Sequence, residues 1–105
     1  MSTPTWSEMT AEEVEQWIKE KGSGQVIDVR EPEEWVSGHI EGARHIPLQQ
    51  LPYRLQELDP QFEYNLVCRS GVRSAMACEF LSAHGYRVFN MTGGMLAWPG
   101  EIATG

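Results

Sequence analysis

One stretch of the chain holds the residue types that nucleophilic chemistry requires: Asn65-Leu66-Val67-Cys68-Arg69-Ser70-Gly71-Val72-Arg73-Ser74. Tyr64 to Val67 is a short apolar run of strand character, and a cysteine stands at its end. Four residues separate Cys68 from Arg73, and a helix-like segment then continues to His84. A thiol placed where a strand turns into a helix lies over the helix N-terminus, where unpaired backbone N–H groups converge and the macrodipole is positive. The anion favoured there is the thiolate of Cys68. A free thiol titrates near ~8.5, and such surroundings bring it to roughly 3.5–7.5. A dipole contact of about 2 kcal/mol accounts for about 1.5 pH units. Arg69 and Arg73 are expected to push the same way. The competing view is a small buried hydrophobe, a common fate of free cysteine. Strand end, loop glycine and two arginines together favour the nucleophile.

Further motifs stand in order along the chain: Asp28-Val29-Arg30-Glu31, Gly38-His39-Ile40-Glu41-Gly42-Ala43, and Gly93-Gly94 with Trp98. With the Cys68–Arg73 loop they resemble the rhodanese domain, the sulfurtransferase fold, from about Gln25 to Trp98. The resemblance implies an α/β domain of three layers, with a mainly parallel central sheet and helices on both faces. It implies Cys68 as the catalytic residue and Arg69, Ser70, Gly71, Val72 and Arg73 as the substrate-binding loop. Asp28, Arg30 and Ser74 take supporting places, and His39 is a scaffold residue. No metal or cofactor is expected.

The chain has 105 residues, which suits one domain over 1–105. Its formal charge of −7 argues against a nucleic-acid partner. No run is long enough for a transmembrane helix, and Met1 to Trp6 lacks the basic start and apolar core of a signal peptide. Two cysteines ten positions apart do not form a disulfide framework, so a reducing, cytoplasmic setting is expected. A helix from Gly71 would place Cys78 about 10 Å along its axis, beyond the ~7 Å that a disulfide spans. Cys78 is therefore expected to be a packing residue.

The elements that must position the loop are legible in outline. Thr5 to Met9 reads as an edge strand. Thr10 with Glu13 forms a capping box, Met9 and Val14 a hydrophobic staple, and Val14, Trp17 and Ile18 one apolar helix face that ends at Gly22. Gln25 to Val29 is an apolar run without alternation, as in a strand covered on both faces, and Asp28 within it needs a partner. Pro32 opens a helical turn with Glu33 and Glu34 near its start. Gly38 to Ala43 turns the chain into a strand, Arg44 to Ile46. Pro52 can sit in the first turn of a helix, and Leu51, Leu55 and Leu58 recur at helical spacing. In the helix after the loop, Met76, Ala77, Phe80 and Leu81 read as the core face, and Ser74, Cys78 and Ser82 as a more polar stripe. Arg87 to Asn90 is a last strand, and Met95, Leu96 and Trp98 a closing helix packed on the core. His39, His45 and His84 are not at metal-ligand spacing.

The chemistry implied is transfer of a sulfane sulfur. Cys68 attacks the outer sulfur of thiosulfate or a persulfide donor, carries it, and yields it to cyanide, a thiol or an acceptor protein. Two alternatives differ in kind. Phosphatases and arsenate reductases of related design place five residues between cysteine and arginine, which leaves room for a tetrahedral oxyanion that the four-residue loop here lacks. A non-catalytic binding module would have no use for the cysteine.

Overall fold

The computed structural model describes residues 6–105. Thr5, expected to begin the first strand, lies outside the described residues. The strands are β1 (Ser7–Met9), β2 (Val26–Asp28), β3 (Arg44–His45), β4 (Glu63–Val67) and β5 (Arg87–Met91), and the α-helices are α1 (Ala11–Lys21), α2 (Pro32–Ser37) and α3 (Val72–Ala83). The five strands form one sheet in the order β1-β5-β4-β2-β3, and every pairing between them is parallel. β1 is the edge strand that the sequence suggests.

Local chemistry explains the helix starts. The Thr10 side chain accepts the Glu13 N–H at 3.1 Å while the Glu13 carboxylate accepts the Thr10 N–H at 2.8 Å, so α1 begins on a reciprocal cap. Pro32 occupies the first turn of α2, where its missing N–H costs nothing. The Leu48–Tyr53 and Leu55–Glu57 segments are short 3-10 turns rather than one α-helix. Pro52 lies inside the first of them and removes a donor that a continuing helix would need.

Alternation along β2 and β4 sends neighbouring side chains to opposite layers. Ile27, Tyr64 and Leu66 pack with Ala77, Cys78 and Leu81 of α3 and with Leu51. Val26 and Val67 pack with Ala11 and Val14 of α1, flanked by Trp17, Met95 and Trp98. Helical layers therefore cover both faces, as a parallel sheet requires.

The face that α3 buries differs from the expected one. Ser74, Ala77, Cys78 and Leu81 are the buried stripe, at i, i+3, i+4 and i+7. Met76, expected in the core, is 59% exposed, and Phe80 is only partly buried against the core. Serine and cysteine are small enough to let the helix lie close to the sheet, and hydropathy alone ranked them as the polar side. Leu96 is likewise exposed, whereas Met95 and Trp98 pack as expected.

A parallel sheet gathers the carboxyl ends of its strands along one edge. From β2 the chain moves outward to β3, and from β4 it moves the other way to β5. The crevice at the ends of β2 and β4 is thus the point where strand order reverses, the usual place for a site in an open α/β sheet.

Asn65 is a local cost of this arrangement. It is fully buried in β4, its Oδ1 has no hydrogen-bond partner among the described residues, and its Nδ2 meets only the Met9 sulfur at 3.7 Å. Asn65→Leu removes that unpaired acceptor and is expected to raise stability by about 1 kcal/mol, a melting shift of about 4–8 °C. A lower melting temperature in a thermal scan would show that the amide is satisfied after all.

Candidate active site

Cys68 follows the last residue of β4, and Gly71 is the N-cap of α3. Gly71 has φ 106°, in the left-handed region, and a Cβ there would meet the Gly93 nitrogen at 3.3 Å. Glycine therefore lets the loop curl in a confined space. The Cys68 residue is 1% exposed. Its Sγ accepts the Gly71 N–H at 3.1 Å and the Ser74 N–H at 3.3 Å, and the Ser74 Oγ lies 3.3 Å away. Burial pushes the thiol up. Hydrogen bonds at the sulfur, among them those from the N–H groups of Ser74, Gly71 and Ser70, outweigh it, and the thiol is held below its ordinary value. The sequence credits the helix dipole and the two arginines; in the folded loop the leading causes are burial and these hydrogen bonds.

The loop is clamped from the far side of the sheet. The Met95 N–H donates to the Cys68 carbonyl at 2.8 Å and the Leu96 N–H to the Arg69 carbonyl at 3.1 Å. Gly94 makes this approach possible: it has φ +59°, and a Cβ would collide with the backbone of Arg69 and Cys68. The Asn90 side chain adds a third hold. Its Nδ2 donates to the Gly71 carbonyl at 3.2 Å, and its Oδ1 accepts the Ser74 hydroxyl at 2.5 Å.

Asp28 and Arg30 stand beside the loop, because Asp28 is in register with Val67 and the Val29 N–H donates to the Val67 carbonyl at 2.9 Å. Both are buried and paired: Arg30 Nε donates to Asp28 Oδ1 at 3.0 Å and Nη2 to Oδ2 at 2.8 Å. The same Nη2 reaches the Gly38 carbonyl at 2.7 Å and so fixes the end of α2. Across the crevice, Arg73 makes a two-pronged ion pair with Glu34 of α2, Nη1–Oε1 2.8 Å and Nη2–Oε2 2.8 Å. Glu34 Oε1 also accepts the Glu31 N–H at 3.0 Å, so one carboxylate caps α2 and grips the loop helix. Arg69 differs from Arg73. It is exposed, and its guanidinium has no ion pair or hydrogen bond among the described residues.

All nine residues singled out in the sequence therefore lie in the loop or against it. Ser70 and Val72 are at the exposed rim, and Ser74 is buried beneath the sulfur. Three more were not singled out for the site: Glu34, Asn90 and Gly94. Asn90 carried a signal, since a polar residue within the apolar Val88-Phe89-Asn90-Met91 strand needs a buried partner. Cys78 is fully buried, and burial pushes its thiol up to about 12. His39 Nδ1 contacts the Trp35 carbonyl at 2.8 Å and His45 Nε2 the Arg30 carbonyl at 2.8 Å, both as scaffold groups. No cluster of side chains suited to a metal ion occurs among the described residues.

A model of the rhodanese-like domain matches residues 10–101. The chain belongs to the rhodanese family. This rhodanese-like chain is 45% identical over 76 residues to the putative sulfurtransferase YtwF of Bacillus subtilis, covering 72% of its own length and 74% of that protein. It is 34% identical to a sulfurtransferase of Allochromatium vinosum, over 88% of this chain and 87% of that one. Among solved structures, a rhodanese-like domain protein from Staphylococcus aureus superposes with a TM-score of 0.85 at 36% identity, covering 94% and 97% of the two chains.

The Arg73–Glu34 pair gives the domain a defined acid response. The hydrogen-bonded Arg73 guanidinium outweighs burial and holds the Glu34 carboxyl down to about 2, from an ordinary 4.5. A lowered acid contributes stability that is full above the unfolded value and fades as pH falls toward the folded one. The pair is partly exposed, so its contribution is modest. The melting temperature of Glu34→Gln is expected to lie below that of the parent at pH 7, with the gap closing between pH 4.5 and 2. A gap that is unchanged at pH 2 would assign the loss to something other than this charge.

Proposed function

We propose that this rhodanese-like protein carries sulfane sulfur as a Cys68 persulfide, taking it from thiosulfate or a persulfide donor and passing it to cyanide, a thiol or an acceptor protein. The observation that carries the reading is the sulfur's coordination. A buried thiol receives two backbone N–H groups in a loop only four residues wide.

The steps balance without an added acid or base. The Cys68 thiolate attacks the outer sulfur of thiosulfate, an S–S bond forms to Sγ, and the old S–S bond breaks with its electron pair leaving on sulfite. The terminal sulfur of the persulfide now holds the negative charge. Val72 and Arg73, the first residues of α3, have N–H groups without partners inside the helix, and these supply further donors for that charge. An acceptor nucleophile then attacks the terminal sulfur, and the bond to Sγ breaks with its pair returning to Cys68.

The two arginines divide the work. Arg73 is committed to Glu34, so it braces the loop against α2 and offers the substrate its N–H more than its charge. The exposed Arg69 is the cation that attracts an anionic donor and steadies departing sulfite. The same pairing weighs against phosphatase chemistry, which needs the loop arginine free to clasp phosphoryl oxygens. Asp28 and Arg30 hold the end of α2 and thereby the Glu34 side of the crevice. Two unpaired cysteines support a reducing, cytoplasmic setting.

Intact mass after incubation with thiosulfate tests the reading. One added sulfur atom is expected in the parent and in Cys68's companion variant Cys78→Ser, none in Cys68→Ser, and cyanide should remove it. Loading by a small-molecule persulfide but not by thiosulfate would eliminate thiosulfate as donor, and no loading by either would leave a binding module. For the arginines, Arg69→Ala is expected to raise the thiosulfate KM about tenfold, the worth of one charge-assisted contact. Arg73→Ala should cost stability before it costs KM; equal KM effects would return Arg73 to the substrate.

A further inference from the structure

Cys68, Ser74 and Asn90 form a buried chain that the transfer steps above do not use in full. Asn90 is 2% exposed and Ser74 fully buried, so neither can exchange its partner for bulk water. The orientation of the Asn90 amide is set by its Nδ2, which donates to the Gly71 carbonyl. The Oδ1 must then face Ser74, and since it can only accept, the Ser74 hydroxyl is the donor. A hydroxyl has one proton. While that proton is on Asn90, the oxygen turned to Sγ at 3.3 Å offers a lone pair, which suits an S–H and not a thiolate. A bare thiolate therefore meets a choice. Either the hydroxyl swings to Sγ and leaves Asn90 Oδ1 buried without a donor, or it stays and the thiolate keeps only backbone N–H groups. Once an outer sulfur is attached, Sγ is a neutral bridging atom and the conflict disappears.

We propose that Asn90 is a positioning residue that holds the Ser74 proton away from the unloaded sulfur, so that the site favours negative charge on a carried sulfur over charge on Cys68 itself. The proposal rests on the reading of Cys68 as the sulfur carrier. The charged groups beside the loop are paired with one another, Arg73 with Glu34 of α2 and Arg30 with Asp28 of β2. The near ends of β5 and of the Gly94–Ala97 turn contribute Asn90, Met91, Gly94 and Met95, none of them charged. The switch therefore lies in the neutral hydrogen bonds.

The test is a double-mutant cycle on the pH profile of Cys68 alkylation by iodoacetamide, which needs no sulfur transfer and so fails or succeeds independently of the carrier reading. Asn90→Ala frees the hydroxyl for the thiolate and is expected to lower the alkylation midpoint by about one pH unit. In a Ser74→Ala background the same change should do nothing, because no proton remains to be released. Above the midpoint, Asn90→Ala should load sulfur from thiosulfate about threefold more slowly and discharge it to cyanide faster, since a less basic thiolate is a weaker nucleophile and a better leaving group. Equal midpoint shifts in both backgrounds, an unchanged midpoint, or a raised one would overturn the proposal. Should Asn90→Ala unfold, Asn90→Val, which has no acceptor for the Ser74 proton, replaces it. In the unmutated protein, the Asn90 side-chain amide resonances should move as Cys68 ionises and return when it is loaded; resonances unmoved by either would equally overturn it.

Discussion

Everything in this molecule that concerns its site depends on two backbone N–H groups meeting a buried sulfur. Burial alone would keep the Cys68 thiol protonated and inert, as it does Cys78 ten residues on. The difference between the two cysteines is not exposure, since both are buried. It is that Cys68 lies where the donors of a helix start have no other partners, and Cys78 lies mid-helix, where every nearby N–H is already spent on the ladder. Charge stabilisation here comes from fixed dipoles. On the proposed reading, such donors need no reorganisation when charge moves from Sγ to an attached atom.

Fixed dipoles work only if the loop is fixed. Three independent elements hold it. The Gly94–Ala97 turn donates to the carbonyls of Cys68 and Arg69 from one face of the sheet, and Asn90 at the end of β5 holds the Gly71 carbonyl. Glu34 pulls Arg73 toward α2, which is itself moored by Arg30 and Asp28 to the end of β2. Loop carbonyls are thus occupied by neighbouring donors, so its N–H groups are left to point the other way. The buried Asp28–Arg30 pair is costly to desolvate, and its extra bonds to the Arg30 N–H and the Gly38 carbonyl are what make such a pair tolerable.

What the sequence revealed follows how local the physics is. The α1 cap, its Gly22 stop, the strands and the strand-to-helix turn at Cys68 depend on contacts within a few residues, and each was legible. The α3 face was not, because Ser74 and Cys78 are buried for their small size against a sheet the sequence does not display, while Met76 is left outside. Leu51, Leu55 and Leu58 show helical spacing, yet Pro52 breaks the run into 3-10 turns. Glu34 and Arg73 are 39 residues apart, and nothing in either segment announces the other. Arg73 was accordingly placed in the substrate-binding loop without the ion pair that also ties it to α2 being foreseen.

That displacement bears on selectivity. A loop arginine that is free makes a site for tetrahedral oxyanions, because its fork matches two of their oxygens. Tying the fork to Glu34 occupies it and leaves the loop N–H groups as the uncommitted donors near the sulfur. The chain's net charge of −7 sharpens the point, since a diffuse negative field discourages anions everywhere except where local donors converge. On the proposed reading, selection of a small, polarisable, singly attached anion then needs no dedicated pocket. It follows from how few donors are left uncommitted.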